Sequence, residues 1–208
     1  MKILRLFVAV ILLGVSSLAA ADPQSYTNLE LSFGRQGNIF LDGGTSYRFA
    51  GSYDLSDTFY TYGEYSSNTF GDFSNSQSGL DAKQSVFGIG LGMHFPVADA
   101  SDWVVRFSIN HNKAESAIST STHTGYNLGT GFNTALSTGL ELSTFIDHTT
   151  AGADTTTGLP ANISASAGET VLSTGLHSQI GKNLDFGVTE EFSSIGQNRL
   201  LLSLRWDF

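Results

Sequence analysis

The sequence predicts an all-β fold: a transmembrane, antiparallel, up-and-down β-barrel of about ten strands, with eight as the alternative count. Three observations predict it. Apolar residues recur at every second position in ten separate segments. The connections between those segments alternate between short and long. Charged side chains share the parity opposite to the aromatic ones. Composition agrees: charged residues make up 14 % of the 208-residue chain, against roughly 25 % in soluble domains.

Residues 1–21 read as a secretory signal peptide. Lys2 and Arg5 precede a short apolar run from Leu6 to Val15, and Ala19-Ala20-Ala21 supplies a small-residue cleavage site. The run falls short of the roughly 20 residues a spanning helix needs, which argues against a retained anchor. Residues 22–208 then form one barrel domain. No later apolar run reaches helix-spanning length, so a membrane crossing must be made by strands.

The segments follow in order. Leu29, Leu31 and Phe33 alternate with Glu30, Ser32 and Gly34. Tyr47, Phe49, Gly51 and Tyr53 alternate with Arg48, Ala50, Ser52 and Asp54. Phe59, Thr61, Gly63 and Tyr65 face away from Tyr60, Tyr62 and Glu64. The fourth segment sets Phe87, Ile89, Leu91, Met93 and Phe95 against Gly88, Gly90, Gly92 and His94. In the fifth, Trp103, Val105, Phe107 and Ile109 oppose Val104, Arg106, Ser108 and Asn110. The sixth runs over 126–132 and the seventh over 136–146. Leu172 to Ile180, Leu184 to Phe192 and Leu200 to Phe208 complete the ten. Each approaches the 9–11 residues of a tilted spanning strand.

Short connections are expected at 55–58, 96–101, 133–135 and 181–183. Longer ones, rich in Ser, Thr, Asn, Asp and Gly, are expected near 35–43, 66–84, 112–122, 147–168 and 193–198. Turns on one side and loops on the other is the pattern of a membrane barrel.

Parity sorts the charges. Glu30, Arg48, Asp54, Glu64, Arg106, Glu141, Asp185, Glu191, Arg199 and Arg205 all fall on the face away from the aromatics. Arg or Lys facing mid-bilayer lipid would cost about 2–4 kcal/mol, so these ten are expected in the lumen as a charge network. Glu190 is the exception, near a loop-side strand end where the cost is small. The outward aromatics form two girdles, with Phe33, Tyr47, Tyr65, Phe87, Tyr126 and Phe192 by the loops. Tyr53, Phe59, Phe95, Trp103, Phe132 and Phe208 lie by the turns. A soluble sandwich would use the same alternation in the opposite sense, with the apolar face inside.

A signal peptide, about ten amphipathic strands and a final Phe resemble the small outer-membrane β-barrels of Gram-negative bacteria. The last strand resembles the C-terminal signal read by the barrel assembly machinery, with Leu204, Trp206 and Phe208 carrying it. It departs from that signal at Ser203, where Gly is common, and at Leu201, where a polar residue is common. The resemblance implies a place in the bacterial outer membrane. It implies contact with outer-membrane lipid and lipopolysaccharide, and assembly through the terminal strand.

Catalytic and cofactor motifs are sparse. Without cysteine there is no disulfide or thiolate metal site. The formal charge of −9 and the lack of a basic patch exclude a nucleic-acid binder of ordinary kind. None of the five histidines has Ser two residues later, so no base and nucleophile share one strand face in that way. Asp147-His148 is expected at a solvated loop end, and His94 and His177 as polar lumen fillers. Gly88, Gly90 and Gly92 repeat at strand period and are expected to make room for long side chains opposite. No cofactor or metal is implied. Ten strands leave a narrow lumen, and mixed charges within it favour a salt-bridged plug over a general pore. The expected function is thus a non-enzymatic envelope protein acting in structure or surface contact, its surface ligand open. A narrow porin-like channel is the alternative, and a lipid-modifying barrel enzyme comes third.

Overall fold

The computed structural model describes residues 26–38, 41–70, 82–115, 120–150, 154–157, 168–194 and 197–208. The signal-peptide segment lies outside the described residues. The strands are β1 (Asn28–Asn38), β2 (Leu41–Asp54), β3 (Phe59–Phe70), β4 (Ala82–Ala98), β5 (Ser101–Glu115) and β6 (Thr120–Ser137). They continue as β7 (Leu140–Thr149), β8 (Asp154–Thr157), β9 (Glu169–Gln179), β10 (Leu184–Ser193) and β11 (Gln197–Asp207).

Ten of these close a barrel in which sequence neighbours pair antiparallel. β1 pairs with β11, Asn28 opposite Asp207, and β5 pairs with β6, so the sheet has no open edge. β8 is not one of the ten: among the described residues it pairs with the loop end of β6 alone, Thr120 opposite Thr157, on the edge that β7 takes further along. Closure satisfies the backbone of every spanning strand internally, which a bilayer demands.

Interior and exterior are inverted relative to a soluble protein. Among the described residues, large hydrophobic side chains such as Phe33, Ile89, Leu128 and Trp206 are exposed. Buried positions are mostly polar or charged, among them Asn110, Asp185 and Glu191. This use of the alternation fits lipid outside and a polar lumen, and removes the soluble sandwich. Phe95 packs on Trp103 at 5.6 Å, and Trp206 on Phe208 at 6.3 Å, within the turn-side girdle.

Three expectations need correction. The turn expected at 133–135 is instead at Thr138-Gly139. Asn133 and Thr134 stay in the ladder opposite Ser143 and Leu142, and Gly139 takes the positive φ of 76° that the reversal needs. The loop-side ends are longer than expected: β4, β5 and β6 run 17, 15 and 18 residues. Their Ser, Thr and Asn residues read as loop but continue the ladder, because the strand alternation persists through them. Asp147, expected at a solvated loop end, is a buried residue of β7 facing the lumen. Extending the parity of Glu141 and Ser143 by two further steps would have placed it there.

Candidate functional site

The lumen gathers the charged residues. Arg48 of β2 donates from Nη2 to Glu30 Oε1 at 2.8 Å and from Nη1 to Glu191 Oε1 at 3.2 Å. Arg199 Nη2 meets the other Glu191 oxygen at 2.5 Å. This chain of charges links β2, β1, β10 and β11.

A second group sits nearer the turns. Arg205 makes a fork to Glu141, Nη1 to Oε1 at 3.0 Å and Nη2 to Oε2 at 3.1 Å. Its Nη2 also reaches Asp185 at 2.7 Å, and its Nε faces Asp207 at 3.4 Å. Three carboxylates from three strands thus depend on one guanidinium.

The third group is Arg106 with Asp147. Arg106 donates from Nε to Asp147 Oδ1 at 2.8 Å and from Nη2 to Oδ2. Its guanidinium carbon lies 4.3 Å from the Phe145 ring centre, a cation–π contact. Asn127 Nδ2 donates to the same Asp147 at 3.3 Å. Arg106 and Asp147 stand on β5 and β7, and Gly129 of β6 lies between them in register. A Cβ at Gly129 would collide with Asp147 Oδ1 and with Arg106. The pair therefore needs glycine there. Gly92 and Gly90 do the same for Tyr60 and Tyr62, their register partners on β3, while Gly88 makes room for Asn110 of β5.

Two members of the expected network stand apart. Glu64 makes no ion pair among the described residues. Asp54 has no arginine; it accepts from the Tyr26 backbone N–H at 3.1 Å and from Thr27 Oγ1 at 3.2 Å. Glu190 lies outward on β10, opposite Leu200 and Thr174.

The turn end holds a cluster that alternation alone does not reveal. Tyr26 precedes β1 and is buried. Its ring stacks on Tyr60 at 4.9 Å and on His94 at 4.2 Å. Its hydroxyl donates to Asp102 Oδ2 at 3.1 Å and accepts from Asn133 Nδ2 at 3.3 Å. His94 Nδ1 is 3.3 Å from the same Asp102 oxygen. Val104 is fully buried beside them, and Tyr62 and Phe145 pack against the cluster.

Between the described residues lie a cavity of about 370 Å³ on the loop side and one of about 200 Å³ on the turn side. Arg48, Glu64, Arg106, Asn127 and Ser173 line both and mark the waist between them.

One constellation has the residue types of a hydrolase. Ser203 Oγ lies 3.4 Å from His177 Nε2, and Glu30 Oε2 lies 3.6 Å from that same nitrogen. A triad needs the nucleophile on one ring nitrogen and the carboxylate on the other. Here both compete for Nε2, while the buried Nδ1 has no partner. The connectivity is that of a polar filler: Gly187, in register with both His177 and Ser203, leaves the space they share.

No protein-family model matches the sequence, and no curated protein matches it either. Solved structures do. The translocator domain of the autotransporter NalP from Neisseria meningitidis superposes with a TM-score of 0.53 at 10 % identity, covering 100 % of this chain and 95 % of that one. Neisserial surface protein A aligns at 12 % identity and TM-score 0.46, over 88 % of this chain and 96 % of its own. The transport unit of the autotransporter AIDA-I from Escherichia coli aligns at 11 % identity and TM-score 0.44, over 97 % of both chains. At these identities the likeness concerns the fold: the chain is a transmembrane β-barrel of the outer-membrane type.

Proposed function

We propose that this chain is a non-enzymatic barrel of the bacterial outer membrane, closed to bulk solute passage, that serves envelope structure or surface contact through its Ser-, Thr- and Asn-rich loops. The observation that carries the reading is the pairing of lumen charge within the wall. Arg48, Arg106, Arg199 and Arg205 are each committed to carboxylates of other strands. The Tyr26 stack adds a stopper at the turn end. An aqueous channel needs free interior width, and open channels belong to barrels of about sixteen strands.

The outward apolar band is in contact with outer-membrane lipid and lipopolysaccharide. Leu204, Trp206 and Phe208 are the residues offered to the barrel assembly machinery. Leu204 and Trp206 are exposed on the strand that seals the barrel, and Phe208 is exposed just beyond its end.

Planar-bilayer recording of the refolded chain tests the closed lumen. The expected trace is silent or shows only rare small openings. A large, stable conductance from the unaltered protein would replace this reading with the narrow channel, which the two cavities meeting at the waist would then serve.

A further inference from the structure

The loop-side cavity differs in chemistry from the rest of the lumen. One wall, built from β3 to β6, presents amides: Asn68, Gln84, Asn110, Asn112 and Asn127. Four of the five are buried. Asn127 is bonded at both ends, to Asp147 and to Thr149, but the other four amides are not. Ser46 donates to Asn68 Oδ1 at 2.6 Å, and Ser108 to Asn110 Oδ1 at 3.0 Å. Both bonds use the amide oxygen and leave the two N–H donors of each amide unused. Gln84 and Asn112 make no side-chain hydrogen bond among the described residues. None of these amide atoms is sealed off from the cavity, so the free ones face into it and are met there by water or by a ligand that both donates and accepts.

The rest of the cavity narrows the choice. Its arginines are already held by Glu30, Glu191 and Asp147, so a free anion has no uncommitted cation to meet. Carboxylates outnumber arginines on the lining, since Glu64 and Glu169 join Asp147 and Glu191 against three arginines. Apolar lining is limited to Val86 and Val171, too little to hold a hydrocarbon. The volume of about 370 Å³ lies within the range of roughly 300–1,000 Å³ for small-molecule sites.

We infer that the loop-side cavity is a binding site for a neutral saccharide of one or two rings. Vicinal hydroxyls each donate and accept, which is what side-chain amides offer in return. The site does not rest on the closed turn end. A conducting barrel would bind the same ligand, so recording and binding report on the two readings separately.

The test uses the refolded full chain in lauryldimethylamine oxide, a detergent without a sugar head group. Saturation-transfer NMR would be run with glucose, N-acetylglucosamine and maltose, and with glucuronate and glucosamine as charged counterparts. The expected result is saturable transfer to at least one neutral sugar and less to its charged counterpart. Asn110→Leu and Asn112→Leu should each weaken binding about tenfold, with heat-modifiable gel mobility showing that both remain closed barrels. Asn112→Asp keeps the size, removes the N–H donors and should weaken binding as well; it stands in should a leucine variant fail to fold. Absence of transfer to all three neutral sugars, preference for a charged one, or binding unchanged in the folded variants would each overturn the site and leave a water-filled cavity.

Discussion

The two halves of the lumen are built on one principle and finished with different chemistry. The turn-side half keeps only the smaller cavity, of about 200 Å³, and is blocked at its end: Tyr26, Tyr60, His94 and Val104 pack together there, and Arg205 ties three carboxylates together. The loop-side half keeps a cavity lined by amides, with its arginines paired at the floor. Stability in such a barrel is concentrated where charges lack alternatives. Recognition is possible where neutral polar groups lack partners. The same closed sheet carries both because strand parity sets only which face a side chain takes. Height along the strand decides what it meets.

The largest expected effect is in the turn-side half. Arg205→Ala leaves Glu141, Asp185 and Asp207 facing one another and should cost about 3–5 kcal/mol, read as a shift of the urea unfolding midpoint in lipid vesicles. Arg199→Ala in the loop-side half should cost less, because Glu191 keeps Arg48. Equal losses would erase the contrast between the halves.

Gly129→Val comes next. It drives a side chain between Arg106 and Asp147 and should cost about 1–3 kcal/mol from overpacking. If the ion pair rather than general crowding is responsible, the penalty should shrink in an Asp147→Ala background.

Tyr26→Ala removes two ring contacts and should cost about 1–3 kcal/mol. Its more telling readout is conductance, which should rise from silence to small resolved openings in planar bilayers. A silent variant would place the block at the waist. The smallest change is on the outside: Glu190→Leu should stabilise by at most about 1 kcal/mol, measured in the same vesicle assay. A loss instead would mean that this carboxylate has an outward partner.

Much of this organisation is legible in the alternation, because a lipid-facing charge is too expensive to misplace. Arg48, Glu191 and Arg205 could be assigned to a face from their neighbours alone. Their partners could not. Arg205 meets Glu141 across 64 residues of sequence, a contact that exists only once the ring is closed and the stagger of the strands is fixed. Asp147 was obscured by His148 and Thr149, whose polarity resembles a loop. Tyr26 lies before the first alternating segment, so no periodic signal marks it. The glycines at 88, 90 and 92 were legible in role, since small residues at period two on the inner face have one physical use. Which side chains would occupy that space required the register with β3 and β5.

The seam between β1 and β11 joins hydrogen bonding to charge balance. β11 carries two of the four lumen arginines, Arg199 and Arg205. With β11 undocked, Glu141 and Asp185 would lack their cation, and the lumen would hold a larger surplus of negative charge. Closing the seam completes the hydrogen-bonded ring and supplies those carboxylates with their partner together. A foreign strand without arginines at those two heights would do the first and not the second.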